Sequence, residues 1–232
     1  DVYEVRSYRH APRGLDGQAL AWVPTEKLAQ YPMPPADGPV VAALQQPECL
    51  LITPEPADAA HWLSCLQEAV VRHGLRRVQL RAPAFALAHP GAWRALVGQA
   101  SAWLRAQGID TWINGDAGLA RAFDLGLHLR ASQLGASSSE WHGLRLAASC
   151  HSIMELQAAA ASGCLFALLG SVRETRSHPG MPAIGWEAFR DMRAHVAALP
   201  VYALGGLGPD DVANARRHGA QGVAAIRALW DA

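Results

Sequence analysis

Between residues 50 and 226, eight short apolar runs recur at nearly even spacing, with a helical or glycine-stopped segment in most of the intervals. The runs are 50–53, 77–81, 111–114, 126–129, 144–148, 166–170, 201–204 and 222–226. Helical periodicity marks 59–73, 92–107, 152–161, 186–198 and 209–218, and several of these segments end at a glycine, as in His73-Gly74, Gln107-Gly108, Ser162-Gly163 and His218-Gly219. Eight strands alternating with helices predict an α/β fold, a parallel sheet closed into a (βα)8 TIM-type barrel. An open doubly wound sheet is the alternative. Even spacing, and the lack of a GxGxxG after the first strand, favour the barrel.

Composition agrees with a packed domain. Half of the 232 residues are apolar and 17% are charged. Twenty basic and twenty acidic side chains cancel, which argues against a nucleic-acid or anionic-membrane partner, since either needs clustered positive charge. No apolar stretch is long enough for a transmembrane helix, and the charged start lacks the apolar core of a signal peptide. The expected location is cytoplasmic. Cys49, Cys65, Cys150 and Cys164 are scattered without zinc spacing, so reduced and mostly buried thiols are expected. Lys27 is the only lysine, so no Schiff-base lysine and no lysine phosphate clamp can exist beyond it.

Residues 1–45 differ from the rest. They hold six prolines and two glycine turns, with strand candidates at 2–8 and 19–23, a helix start at 24–28 and a helical stub at 40–44. This segment carries too little apolar surface for a core of its own. The domain boundary is therefore placed between residues 45 and 46, with the barrel at 46–232.

Chemistry in such a barrel gathers at the carboxyl ends of the strands. Those ends carry Thr53, Gln79, Arg81, Asn114, Asp116, His128, Arg130, Ser149, His151, the stretch 170–180 with Gly170, Thr175 and His178, then Gly205, Gly206, Ala225, Ile226 and Arg227. Gly205-Gly206 and the end of the eighth run predict a phosphate site, because bare glycine backbone lets amide groups converge on an anion. A tight strand-to-helix turn is the plainer explanation. His151 is placed to exchange protons near physiological pH, or else to cap or pack the next helix, with Ser152 and Glu155 forming its capping box. His128, His151 and His178 raise a three-histidine metal site, but no carboxylate or fixed spacing supports it, so no metal is expected. Cys150 and His151 are neighbours in an extended segment, so they point apart and buried cysteine is the better reading. Trp93, Trp103 and Trp186 fall among leucines and alanines at helical spacing and are expected in the core.

Together these stretches resemble the thiamine phosphate synthase / TenI family over residues 50–230. The matching segments are Leu51-Ile52-Thr53-Pro54, Val78-Gln79-Leu80-Arg81, Ile113-Asn114, Gly126-Leu127-His128-Leu129, Ser149-Cys150-His151-Ser152, Gly170-Ser171-Val172-Arg173-Glu174-Thr175, Ala203-Leu204-Gly205-Gly206 and Gly222-Val223-Ala224-Ala225-Ile226. Synthases in that family join a pyrimidine diphosphate to a thiazole phosphate with magnesium. TenI-type members are thiazole tautomerases that shift a proton on a thiazole phosphate precursor. Two lysines expected of a synthase are missing, in Gln79-Leu80-Arg81-Ala82-Pro83 and Thr175-Arg176-Ser177-His178, and Gly115 breaks the acidic pair expected after Asn114. One lost donor at a leaving group costs about 2–4 kcal/mol. The resemblance therefore implies the tautomerase branch, with His151 as the proton shuttle. Gln79, Arg81, Asn114, His128, Ser149, Gly170, Thr175, His178, Gly205, Gly206, Ala225 and Ile226 would then hold the phosphorylated ring. Arg227 stands where relatives place a small serine.

The first 45 residues resemble the tail of a MutT-type Nudix hydrolase, an α+β fold acting on oxidised nucleotides such as 8-oxo-dGTP. The matching segments are Gly14-Leu15-Asp16-Gly17-Gln18, Trp22-Val23 and residues 31–40, with Asp37 where that tail carries a base-reading asparagine. The Nudix box with its magnesium-binding glutamates is absent from the chain. This implies a fusion whose missing Nudix half would be the barrel's partner in the same polypeptide. Magnesium is then expected only for a synthase or with that Nudix half. A small phosphorylated heterocycle is the expected ligand, and self-association into a homo-oligomer is left open. A non-catalytic module regulating the Nudix half and a residual synthase are the two competing functions.

Overall fold

Each of the eight apolar runs becomes a strand. The structure, a computed structural model, describes residues 5, 7–135, 139–175 and 182–230. The strands are β1 (Cys49–Ile52), β2 (Arg77–Leu80), β3 (Asp110–Asn114), β4 (Gly126–Leu129), β5 (Leu146–Cys150), β6 (Ala167–Gly170), β7 (Val201–Leu204) and β8 (Gly222–Ala225). All neighbours pair in parallel in chain order, and β1 closes on β8 with Cys49 opposite Val223. The α-helices are α1 (Gly38–Gln45), α2 (Ala59–His73), α3 (Pro83–Ala88), α4 (Pro90–Ala106), α5 (Ala117–Phe123), α6 (Ile153–Ala161), α7 (Gly185–Ala194), α8 (Val212–Arg217) and α9 (Arg227–Trp230). Between β4 and β5 the described residues hold only short 3₁₀ turns.

Three elements depart from the sequence expectation. β5 starts two residues later than the predicted 144–148, because Leu144 N–H closes a turn onto Trp141 and Leu146 pairs with Leu127. Ser149 is thus inside the strand, and His151 is the first residue beyond it. α3 and α5 had no clear apolar periodicity; both are set by their ends. Pro83 opens α3, whose Ala84 and Phe85 N–H groups reach the Glu55 carboxylate, while Asp116 accepts from Leu119 N–H to cap α5.

Alternation along the strands separates two buried layers. Leu51, Val78, Ile113, Leu127, Ala148, Leu169, Ala203 and Val223 face the helices. Leu50, Trp112, Ala147, Phe166, Leu168, Tyr202 and Ala224 form a separate cluster inside the barrel. Trp93 lies in the helix-side core, with Trp103 and Trp186 half-buried against it.

At the amino end of the barrel the interior is charged and aromatic. Arg77 Nε donates to Asp110 Oδ2 at 2.7 Å, its Nη1 reaches Tyr202 Oη at 3.2 Å, and its guanidinium lies 4.3 Å from the Phe166 ring centre. Arg145 donates to the other oxygen of Asp110 at 2.7 Å, and Trp112 Nε1 donates at 2.8 Å. Burial would raise the Asp110 carboxyl, but Arg77, the Arg145 and Trp112 hydrogen bonds and the Arg145 charge outweigh it and hold it below the usual carboxylate value. Tyr202 Oη donates onward to Pro47 O at 2.6 Å.

Gly126 makes room for this stack. A Cβ there would stand 2.4 Å from the Trp112 ring. Gly126→Ala is expected to destabilise the barrel by about 1–3 kcal/mol through overpacking. Urea denaturation measures it, and a midpoint equal to that of the wild type would refute it.

Residues Asp1–Gln46 form a second compact unit, distinct from Pro47–Ala232. It contains 3₁₀ turns at Thr25–Gln30 and Pro35–Asp37 and then α1. The strand expected at 19–23 is absent, since a lone extended segment has no neighbour to take its backbone hydrogen bonds. The one expected at 2–8 falls largely outside the described residues, and Val5, Ser7 and Tyr8 carry no strand. No helix among the described residues is long and apolar enough to cross a membrane.

Candidate active site

The carboxyl ends of the strands surround a cavity of about 680 Å³. Of the residues singled out in the sequence, Gln79, Arg81, Asn114, Ser149, His151, Thr175, Gly205, Gly206, Ala225 and Ile226 line it. Arg227 lines it without filling it, and so do Ile52, Arg130, Ser171, Leu207 and Gly208. His128 and Gly170 are not among the lining residues, and His178 lies outside the described residues.

His151 occupies the wall where β5 gives way to α6. Ser152 caps α6 by accepting Glu155 N–H at 3.2 Å, and Glu155 Oε2 takes the His151 N–H at 2.5 Å. These two contacts fix the backbone on which the imidazole stands. Its Nδ1 is 2.7 Å from the Gly170 carbonyl oxygen. A carbonyl only accepts, so Nδ1 carries a proton, and in the neutral imidazole Nε2 is then the nitrogen with the lone pair. Cys150 points the other way, into the helix-side core, where burial and, less strongly, Glu155 push its thiol up to about 12.

His128 has a different environment. It is fully buried, its Nε2 is 2.9 Å from Ser149 Oγ, and its Nδ1 has no partner among the described residues. Burial draws its pKa down to about 3, so it stays neutral and braces Ser149 from behind the cavity wall. The unfolded chain binds this proton near pH 6.5 and the folded chain does not, so stability falls with acidity between these values. From pH 7 to pH 5 the loss attributable to His128 is about 2 kcal/mol, full stability lying above pH 6.5. Urea midpoints at the two pH values, compared with those of His128→Gln, check this; equal acid losses in both proteins would refute it.

Two strands further round the rim from β5, Gly205 (φ +112°) and Gly206 (φ +64°) follow β7. Arg173 holds this turn. Its N–H donates to Gly205 O at 3.3 Å, its Nη1 to Gly206 O at 3.3 Å, and its guanidinium grips Asp211 at 2.7 and 3.2 Å. In a planar trans peptide the carbonyl and the next N–H point oppositely. With both carbonyls turned to Arg173, the N–H groups of Gly206 and Leu207 face away from it, and both residues line the cavity. Polar atoms on other walls also lack partners. Gln79 Oε1, on a residue only 1% exposed, and Thr175 Oγ1 are buried and unsatisfied among the described residues.

The sequence model of TMP-TENI, described as thiamine monophosphate synthase, matches residues 49–229. That span covers the barrel from β1 into α9. The chain belongs to the TMP-TENI family. A relative from Deinococcus radiodurans named thiamine-phosphate synthase is 30% identical over 195 residues, covering 79% of this chain and 67% of that protein. Among solved structures, a thiamine phosphate pyrophosphorylase from Pyrococcus furiosus superposes with a TM-score of 0.62 at 22% identity, covering 80% of this chain and 88% of its own. Its counterpart from Bacteroides thetaiotaomicron gives 0.55 at 18%, with 80% and 85% covered. At such identities the two structures speak for the barrel fold.

The chemistry of the cavity lining bears on what this TMP-TENI barrel offers a metal ion. Magnesium is usually held by one or two carboxylates together with substrate phosphates. No carboxylate lines the cavity among the described residues, and no group of three His, Cys, Asp or Glu side chains is placed to hold an ion. Asp116, the acidic residue nearest Asn114 in sequence, is engaged as the cap of α5. The described lining does not fit a protein-held magnesium.

Sequence reasoning placed Arg130 at a strand end and Ser171 within the stretch 170–180, without giving either a function. The signal for Arg130 was strand parity. Gly126, His128 and Arg130 alternate along one side of the chain, so Arg130 continues the inward row.

Proposed function

We propose that the barrel seats a thiazole phosphate and moves a proton on it, a thiazole tautomerase-type isomerisation. The observation that carries this reading is the His151 imidazole, its tautomer set by Gly170, on the wall of the cavity that also contains the glycine turn. The phosphate sits on the N–H groups turned away from Arg173. His151 Nε2 takes a proton from one position of the bound heterocycle and becomes an imidazolium, while Nδ1–H stays on the Gly170 carbonyl. The same nitrogen returns the proton at a second position, so neither net charge nor electrons are lost.

Incubating the protein with a thiazole phosphate in deuterium oxide tests this. Deuterium incorporation into the heterocycle, followed by NMR, is expected well above buffer alone, and incorporation at the buffer rate overturns the proposal. Binding of that ligand should weaken about tenfold in Gly206→Ala, since alanine at a positive φ, 3.2 Å from Glu174 O, shifts the turn. Unchanged affinity, read by calorimetry, would count against the phosphate placement.

Thiamine phosphate synthesis is the second reading, favoured by the name of the Deinococcus radiodurans relative. It requires a pyrimidine diphosphate as co-substrate and a metal ion whose carboxylate ligands the described lining lacks. Thiamine phosphate formed from both substrates with magnesium would reverse the order. Binding without proton exchange would instead favour a regulatory module. The Nudix-tail reading of residues 1–45 rests on their motifs alone.

A further inference from the structure

We infer that Arg173 is a positioning residue for both halves of the site. Clamped to Asp211, it locks the segment 170–173 onto the glycine turn, so that an anion seated on the turn also sets the His151 imidazole. This rests on the reading that the cavity moves a proton on a phosphorylated heterocycle. Arg173 does not line the cavity, so it acts through the groups it holds. At one end of the segment, Gly170 O takes the His151 Nδ1–H at 2.7 Å. At the other, the Arg173 side chain reaches Gly206 O and the Asp211 carboxylate. The acceptor that orients the base and the clamp that orients the turn are thus carried by one short stretch of backbone.

Between these ends the segment lies directly on the turn. Val172 N–H donates to Leu204 O at 2.8 Å, and Arg173 N–H to Gly205 O at 3.3 Å. A Cβ on Gly205 would stand 2.7 Å from Ser171 Cβ, so only bare backbone at this positive φ lets the two stretches approach so closely. From the other side, Ile184 and Gly185 N–H donate to Ser171 O and Val172 O, at 2.9 and 3.1 Å. Partly exposed ion pairs contribute little unless they are bidentate and networked, and this one is both. Both Asp211 oxygens face the guanidinium, and Oδ2 also accepts Gly208 N–H at 3.0 Å. With Gly208 engaged, the N–H groups of Gly206 and Leu207 meet no acceptor among the described residues and remain for the anion. An anion drawn to them tightens the turn, and through the segment it fixes the Gly170 carbonyl. Binding energy from a phosphate remote from the reacting atoms then raises turnover and not affinity alone.

The test supplies the ring and the anion as separate molecules. Proton exchange on the dephosphorylated thiazole alcohol is followed by NMR in deuterium oxide, with and without phosphite as a free dianion. In the wild type, phosphite is expected to speed exchange about tenfold, within the usual range of coupling between two sites. In Arg173→Gln and Asp211→Asn the acceleration falls to about onefold, although neither residue lines the cavity. Arg173→Lys, which keeps the charge without the fork, retains part of it. In isotope-labelled protein, the His151 Nδ1–H resonance should shift on adding phosphite to the wild type and stay in place in Arg173→Gln, a signature that lost stability alone does not produce. Equal acceleration in the wild type and Arg173→Gln, or none in the wild type while the phosphate ester exchanges, refutes the coupling and leaves the isomerisation standing. If the phosphate ester itself exchanges only at the buffer rate, the isomerase reading fails and the coupling with it.

Discussion

Replacing His151 with alanine is expected to slow proton exchange on a bound thiazole phosphate by about 100- to 10,000-fold, the usual contribution of a positioned acid or base. The loss should fall on turnover far more than on binding, because the phosphate contacts are assigned to the glycine turn after β7 and not to the imidazole after β5. The same substitution leaves the Gly170 carbonyl without its donor, so a control is needed that separates geometry from chemistry. His151→Asn supplies it: its amide can still donate to that carbonyl, yet it offers no titratable nitrogen. Both variants should therefore be slow, and bind the ligand with affinities close to each other. Exchange at the wild-type rate in either one, measured by NMR in deuterium oxide, removes His151 from the chemistry.

Asp110→Ala is expected to cost about 3 kcal/mol, the low end for breaking a buried ion pair, because the Asp110 side chain keeps 27% exposure while Arg77 keeps 7%. The substitution strips Arg77, Arg145 and the Trp112 indole of one shared acceptor at once. At about 2–4 °C per kcal/mol for a chain of this size, the melting temperature should fall by roughly 6–12 °C. Asp110→Asn, which keeps an acceptor but loses the charge, should fall between. A melting temperature within about 2 °C of the wild type in the alanine variant would mean that water replaces the carboxylate at no cost.

The barrel was legible in the sequence because each strand needs only four or five consecutive residues to announce itself, and because the glycines at 74, 108, 163 and 219 stop the chain where expected. The carboxyl-end residues were legible for the same reason, since strand ends in a barrel share one rim. What stayed hidden depends on pairs distant along the chain. Arg77 meets Asp110 and Tyr202 only after the barrel closes, and nothing local distinguishes that arginine from the solvated ones. His128 appeared as a site residue, yet it is fully buried inside the barrel, with Ser149 between it and the cavity. α3 and α5 eluded periodicity because short helices are defined by their caps, here Glu55 and Asp116.

The charged stack around Arg77 and Asp110 shares no residue with the cavity lining. One rim of the barrel anchors the architecture and the opposite rim carries the cavity, with the rings of Phe166 and His128 packed between them. Changes of side chain at positions 81, 130 and 227 therefore leave the foundation untouched, so ligand preference in such a scaffold is free to drift without a toll on folding.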